Sequence, residues 1–372
     1  MKITAVETYY VRHELPQRIG PSTFYYGYRD TLLVKLSTDE GLVGWGETAP
    51  MAGTRATIEG QLKAVLLGKD PLQHRPLWRQ LWGPNFGDPL AVGAVDIALH
   101  DLRGKALNLP IAELFGGRLR ERVPVYASAM NYTEGVDPLE QYPAEAARLV
   151  HSYGLRALKM RLGGQPLQQD VAVARAVRAA VGPDIKLMAD GNGAYTIGTA
   201  IRMGRALEEL GFYWFEEPLP QPGYAGYEML TTALDINIAA GEVLGSREAF
   251  KEVLQRRAMD IVQPDISLCG GIAECLFVAE MARLWSIPCL PHAWGGGITI
   301  LATIHLLSLL PDASWARTTE TPMLEFDLYE NPFRDEILGH PIAIQDGTVA
   351  VPTGPGLGGE VVEEILQRYR VS

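Results

Sequence analysis

Seven ionisable residues recur through the middle of the chain at nearly even intervals. Lys159 and Arg161 come first, and Asp190, Glu216, Glu242, Asp265 and His292 follow, with successive gaps from Asp190 of 26, 26, 23 and 27 residues. One strand, one helix and their connections fill such a gap, so each residue falls at an equivalent point of successive βα units. Three carboxylates drawn around one cavity repel strongly at low effective dielectric, and something cationic has to sit among them. Hard oxygen donors from Asp190, Glu216 and Glu242 suit Mg²⁺, with Mn²⁺ as a substitute, and leave octahedral positions for water and a substrate carboxylate. Each acid alone could as well cap the following helix or pair with a nearby Lys or Arg. Capping requires no common register on three consecutive strands, so the metal reading is preferred. Glu217, pointing opposite to Glu216 along a strand, is expected to support Glu216 or face a loop.

The elements that must position these residues follow from the texture of the chain. From about residue 124, short apolar runs alternate with longer amphipathic stretches, the pattern of βα units on a parallel sheet. The runs lie at 124–129, 156–161, 185–190, 212–217, 237–242, 259–265, 287–292 and 315–320, and eight of them predict a closed barrel. Segments such as 170–181 and 271–285 are long enough for the crossover helices. Functional side chains of such a barrel come from the C-terminal strand ends, which open on one face. Ahead of it, residues 2–12 and 30–47 alternate at period two around a turn at Asp39-Glu40-Gly41, and helical patterns follow at 55–67, 75–82 and 88–107. The expected organisation is an α+β front domain over 1–123, a barrel over 124–344, and a tail over 345–372 whose short strands and Gly/Pro turns rejoin the front domain.

Composition narrows the function. The 372 residues are 47% hydrophobic and carry a formal charge of -11 without a Lys/Arg run, which argues against a nucleic-acid or anionic-membrane surface. No apolar leader follows Met1, so a cytoplasmic location is expected. Cys269, Cys275 and Cys289 are odd in number and lack ligand spacing, as structural thiols of a reducing compartment do. A small-molecule substrate is the default.

The segments Lys159-Met160-Arg161, Ala189-Asp190-Gly191-Asn192-Gly193, Trp214-Phe215-Glu216-Glu217-Pro218, Ala240-Gly241-Glu242, Gln263-Pro264-Asp265 with Gly270-Gly271, and Pro291-His292 resemble, in order and spacing, the mandelate racemase/muconate lactonizing family of the enolase superfamily. The stretch from Asp96 to Ala106 and the pattern Leu324-Glu325-Phe326-Asp327 with Asn331-Pro332-Phe333-Arg334 extend the resemblance over nearly the whole chain. It implies a modified TIM barrel, (β/α)7β, under a capping domain made from the N-terminal region and the C-terminal tail. It also implies Mg²⁺ on Asp190, Glu216 and Glu242, a catalytic Asp265–His292 dyad, and a homo-oligomer. Members of the family abstract the proton next to a carboxylate to give an enediolate.

Physical chemistry supports these parts. Lys159 can donate to one enediolate oxygen, and an ordinary salt bridge is its alternative. Asp265 can hold His292 in the productive tautomer. Arg161 departs from family members that place a second lysine base there. Arginine is rarely a base and suits a clamp on a second carboxylate or a hydroxyl of the substrate, which disfavours two-base racemisation. Glu325 matches the family acid beside the substrate carboxylate, with Glu320 as a rival. Mobile loops at 14–29, carrying Tyr25, Tyr26 and Tyr28, and at 48–56 are expected to set specificity, with Trp294 in the pocket wall. The preferred reaction is Mg²⁺-dependent dehydration of a sugar acid by a lyase. Cycloisomerisation of a sugar lactone comes second and racemisation or epimerisation of a hydroxy acid third. A Schiff-base aldolase through Lys159 is disfavoured, because a ring of acids keeps that amine protonated. A binding or structural protein on the same fold is disfavoured by the intact triad and dyad.

Overall fold

The computed structural model describes residues 1–84, 87–317 and 319–371. Strands β1 (Ile3–Gly20), β2 (Tyr26–Thr38) and β3 (Val43–Thr48) form an antiparallel sheet, with Gly41 at φ 81° in the expected turn. β4 (Arg122–Ser128), β5 (Tyr132–Thr133), β6 (Ala157–Arg161), β7 (Lys186–Asp190), β8 (Trp214–Glu216), β9 (Asn237–Ala240), β10 (Ile261–Val262), β11 (Leu324–Asp327) and β12 (Thr348–Ala350) follow. The parallel ladder runs β10-β9-β8-β7-β6-β4-β11, and a Val262–Cys289 bridge brings 287–292 alongside β10.

Among the described residues no ladder joins 287–292 to β11, yet side chains complete the ring. Tyr126, Ala157, Met188, Trp214, Ala239, Ile261, Leu290 and Met323, one from each of the eight segments, form a single buried cluster. Two positions further on, where the inner face recurs, stand Ser128, Lys159, Asp190, Glu216, Gly241, Gln263, His292 and Glu325. An apolar plug thus carries a polar ring at the strands' C-terminal ends.

The eighth strand is not 315–320. The described residues of that stretch are irregular, Trp315 is fully exposed, and Glu320 pairs with Lys186 at 3.0 Å away from the ring. β11 takes its place. Its alternation was masked because its inward residue Glu325 is charged and its length is only four residues.

The period-two runs also underestimate β1 and β2. Residues 14–20 and 26–29, expected as a loop, continue the hairpin across a register shift between Glu14 and Ile19. Ile19 and Gly20 pair with β5, and Ser22 Oγ donates to the Leu162 carbonyl at 2.6 Å. The hairpin therefore lies over the end of β6. The helical pattern at 55–67 is one coil from Thr54 to Leu66, with a π-helical stretch at Ile58–Leu62.

The helix Pro89–Leu107 joins the two layers. Asp88 caps it by accepting from Leu90 and Ala91, Pro89 suits its first turn, and left-handed Asn108 ends it. It is buried on every face from Ala91 to Leu102, with β3 on one side and the 266–271 loop on another. Asp101 accepts from Trp45 N–H at 3.0 Å and Leu357 N–H at 2.9 Å, tying β3 and the tail to the helix. Glu47 on β3 accepts from Gly296 N–H at 2.6 Å and Thr299 N–H at 2.9 Å, so a front-sheet carboxylate caps the barrel helix Gly297–Leu309. The tail contacts both layers: β12 pairs antiparallel with β4, and Val371 N–H donates to the Tyr10 carbonyl at 2.9 Å. No helix among the described residues is long and apolar enough to cross a membrane.

A Cβ on Gly46 would lie 1.8 Å from the Ala94 carbonyl oxygen, and backbone on both sides cannot yield. Gly46→Ala is expected to cost at least about 2 kcal/mol. Gly60→Ala, with open space around its Cβ, is expected to leave stability within about 1 kcal/mol of wild type. Denaturant unfolding of the two variants checks the contrast.

Candidate active site

Period-two alternation sets Lys159 and Arg161 on the same inner face of β6. Lys159 is fully buried, its Nζ 2.6 Å from Glu216 Oε1, 2.7 Å from Glu325 Oε1 and 3.7 Å from Asp190 Oδ2. Burial alone would strip its proton, but Glu216 and Glu325 outweigh that and hold the ammonium above its ordinary pKa. Arg161 pairs with Asp190 and reaches Ser128 Oγ at 3.3 Å and Asn131 Oδ1 at 3.4 Å.

The acids are individually oriented. Glu216 Oε2 accepts from Trp214 Nε1 at 2.8 Å and Gln263 Nε2 at 2.9 Å, and Asp190 Oδ1 accepts from Asn192 N–H at 2.8 Å. Glu325 accepts from Tyr126 Oη at 3.0 Å. Burial pushes the Glu325 pKa up, but Lys159, His292 and Arg161 outweigh it and hold the carboxyl well below its usual range. Glu217, at φ 37°, is buried behind the ring, accepts from Gln221 at 2.5 Å, and is pushed up to about 9 by burial and by Glu242 and Glu216.

His292 and Asp265 meet at 2.6 Å through Nδ1 and Oδ2. Asp265 is itself fixed by the N–H and Oγ of Ser267 at 2.7 and 2.6 Å. An Nδ1–H donated to that carboxylate leaves Nε2 for chemistry, 3.2 Å from Glu242 and 3.8 Å from Glu325. Burial opposes the imidazolium, while Glu242, Glu325 and Asp265 raise its pKa to about 10, so Nε2 is free to accept a proton once the charge of Glu242 is offset, as a cation bound there would do.

The eight residues picked from sequence therefore converge on one end of the barrel. Asp190 and Glu216 share Lys159, whereas Glu242 turns toward His292. Five carboxyl groups, those of Asp190, Glu216, Glu242, Asp265 and Glu325, face two permanent cations, Lys159 and Arg161, and one histidine. This excess of hard oxygen donors has the chemistry of a divalent-cation site at Asp190, Glu216 and Glu242, although their ligand atoms do not all lie within 4.8 Å of one another while Glu242 is turned to His292. Glu320 lies elsewhere, on the exposed pair with Lys186.

Several contributors escaped the sequence reading. Tyr126, Trp214 and Gln263 occupy inner-face positions that strand periodicity could have flagged once the barrel was assumed. Arg29 could not be found that way, because it arrives from β2. Its guanidinium pairs with Asp327 at 2.5 Å and lies 4.6 Å from the Trp294 ring centroid, with that of Arg161 at 5.6 Å. Tyr26 Oη, Arg29 Nε and Asn131 Nδ2 in this quarter are buried without a hydrogen-bond partner. Of the three loop tyrosines, Tyr25 and Tyr28 are exposed and Tyr26 turns inward.

Fold and site together define an enolase-superfamily enzyme. Residues 5–116 match the mandelate racemase / muconate lactonizing enzyme N-terminal domain and residues 141–365 the enolase C-terminal domain-like model, and the chain belongs to this family. It is 34% identical to a D-galactarolactone cycloisomerase of Agrobacterium fabrum, over 100% of this chain and 99% of that one. It is 32% identical to an arabinonate dehydratase of Saccharolobus solfataricus, over 92% and 91%. Among solved structures, a 3,6-anhydro-D-galactonate cycloisomerase from Zobellia galactanivorans superimposes with TM-score 0.89 at 33% identity, covering 100% of both chains. A racemase from Streptomyces coelicolor A3(2) with bound magnesium gives TM-score 0.87 at 29% identity over 99% of this chain and 100% of that one.

The placement of the two rival glutamates makes a sharp contrast. Glu325→Gln is expected to lower kcat at least about a hundredfold, and Glu320→Gln to leave it within about twofold. Steady-state kinetics of both variants, with circular dichroism as the fold control, check it.

Proposed function

We propose that this enzyme abstracts the proton α to the carboxylate of a sugar acid and then eliminates a β-oxygen, giving a 2-keto product, in the cytoplasm. The observation that carries this reading is the one-sided disposition of bases. His292 Nε2 is the ring nitrogen left open, while Lys159 and Arg161 are committed as cations to Glu216, Glu325 and Asp190.

The substrate carboxylate would meet Lys159 and Glu325, and the α-carbon would lie within reach of His292 Nε2. The Cα–H bond breaks, the proton goes to Nε2, and the electron pair moves into the carboxylate as an enediolate. Asp190, Glu216 and Glu242 would hold Mg²⁺, which would supply positive charge favouring this build-up of negative charge on the substrate. Lys159 adds a fixed donor that needs no reorganisation, because its ammonium is already held by ion pairs. Asp265 keeps the imidazole in its tautomer and stabilises the imidazolium. The enediolate pair then forms the Cα–Cβ double bond as the Cβ–O bond breaks, and the imidazolium can return its proton to the departing oxygen. Loss of water leaves an enol that tautomerises, its hydroxyl proton lost and Cβ protonated, to the 2-keto acid, the dehydratase outcome. Loss of a ring oxygen from a lactone gives cycloisomerisation, the second reading, which the full-length likeness to two cycloisomerases favours. Tyr26, Arg29 and Asn131 would hold the far end of the substrate, where their unpartnered donors suit hydroxyls or a second carboxylate, with the Arg161 guanidinium close by over Trp294.

Incubation with a library of aldonic and aldaric acids and their lactones in D₂O tests the reading. Water loss to a 2-keto acid is expected, activity is expected to disappear with chelator and return with Mg²⁺, and His292→Asn is expected to lower kcat about a thousandfold. Ring opening without water loss would select cycloisomerisation; deuterium at C2 with every hydroxyl retained would contradict elimination, as would no product from any member. Tyr26→Phe is expected to raise KM about threefold to tenfold at nearly unchanged kcat, and an unchanged KM would remove Tyr26 from the substrate site.

A further inference from the structure

We infer that the cleft between the helix His74–Trp82 and the barrel helices Arg247–Arg256 and Ile272–Leu284 is a second binding site, for a small oxyanion of the phosphate or carboxylate type, separate from the polar ring. The cleft, about 1220 Å³, is walled by Arg75, Arg79, Arg103 and Arg247 together with His74 and His100. Among the described residues no Asp or Glu lines it, in a chain whose net charge is -11. None of the eight candidate active-site residues borders it.

The cations in the wall are undercompensated. Among the described residues Arg75, Arg79 and Arg103 have no carboxylate partner, and burial pulls the Arg103 pKa down. Arg247 differs, because the buried Glu274 both holds it in the wall and offsets its charge. Glu274 takes its Nε and Nη2, leaving Nη1 uncommitted, and the guanidinium carbon sits 4.9 Å from the Trp78 ring centroid and 3.9 Å from that of Phe277. Preorganised guanidinium groups are what oxyanion recognition uses.

Donors also lack acceptors. Trp78 Nε1 and Arg103 Nε are buried with no hydrogen-bond partner, an arrangement that native proteins seldom leave unanswered, while His100 Nε2 lies 3.6 Å from Asp96 Oδ1. Arg103 Nη1 donates to His100 Nδ1 at 2.9 Å, and burial keeps that imidazole neutral, so its proton sits on Nε2. An anion in the cleft would supply acceptors to groups that now have none.

His74, Asp96 and His100 have the donor types of a metal site, with ligand atoms within 4.8 Å of one another. The surroundings oppose that use. A metal on His100 Nε2 would require the proton on Nδ1, where Arg103 already donates, and would add a cation among four guanidinium groups. Asp96 is engaged structurally, with His74 at 2.7 Å and the Ala273 N–H at 3.4 Å.

Calorimetric titration of inorganic phosphate and of succinate into the full-length enzyme at low salt tests the inference, with Arg79→Gln and Arg103→Gln as variants and sedimentation velocity on each. One saturable site per chain is expected for at least one of the two ions, weakened about tenfold in each variant, equal in Mg²⁺-loaded and Mg²⁺-free protein, and with substrate turnover unchanged in both variants. Four results would overturn it: no saturable binding of either ion; equal affinity in wild type and both variants; affinity that depends on Mg²⁺, which places the ion in the polar ring; or a changed oligomeric state in the variants at unchanged ion affinity, which makes the cleft a seat for a neighbouring copy's acid.

Discussion

The crowding of carboxyl groups around Lys159 is the constraint on which the rest of the structure depends. Glu216, Glu325 and Asp190 stand within 4 Å of a fully buried ammonium, and Arg161 and His292 engage the neighbouring acids. Such a cluster is costly to desolvate unless geometry keeps each charge matched. The barrel provides that geometry because its inner face recurs every two residues, so one apolar layer fixes the height of the polar layer above it. The hydrogen bonds from Trp214, Gln263, Tyr126, Asn192 and Ser267 then fix which oxygen of each acid faces inward.

The front domain extends this constraint. Glu47 and Asp101 are buried carboxylates outside the ring, and each accepts backbone N–H groups from a different part of the chain. Through Glu47 the front sheet grips the helix that begins just after His292 and Trp294. Through Asp101 it grips the tail. The β1–β2 hairpin, anchored by Ser22 and β5, brings Tyr26 and Arg29 over β6. Enclosure of the site is thus built from the same polar satisfaction that stabilises the domain contact.

Much of this was legible in the sequence. The even spacing of Asp190, Glu216, Glu242, Asp265 and His292 is a direct consequence of the βα repeat, and their chemistry needs no structure to suggest a cation. The eighth strand was misplaced because β11 carries Glu325 inward and so lacks an apolar alternation, while 315–320 imitates a strand without contributing one. Residues 14–29 read as a loop because an exposed hairpin arm has no buried face along much of its length. Arg29 was beyond reach for another reason: its role depends on which distant elements meet, and no local pattern encodes that.

The acid-rich ring is proposed to hold one divalent cation. Titration of Mn²⁺ into the enzyme, followed by electron paramagnetic resonance, measures this directly. One Mn²⁺ per chain is expected, displaced by Mg²⁺, with binding lost in Glu216→Gln and kept in His292→Asn. Absence of a stoichiometric site, or a site indifferent to Glu216, would contradict it.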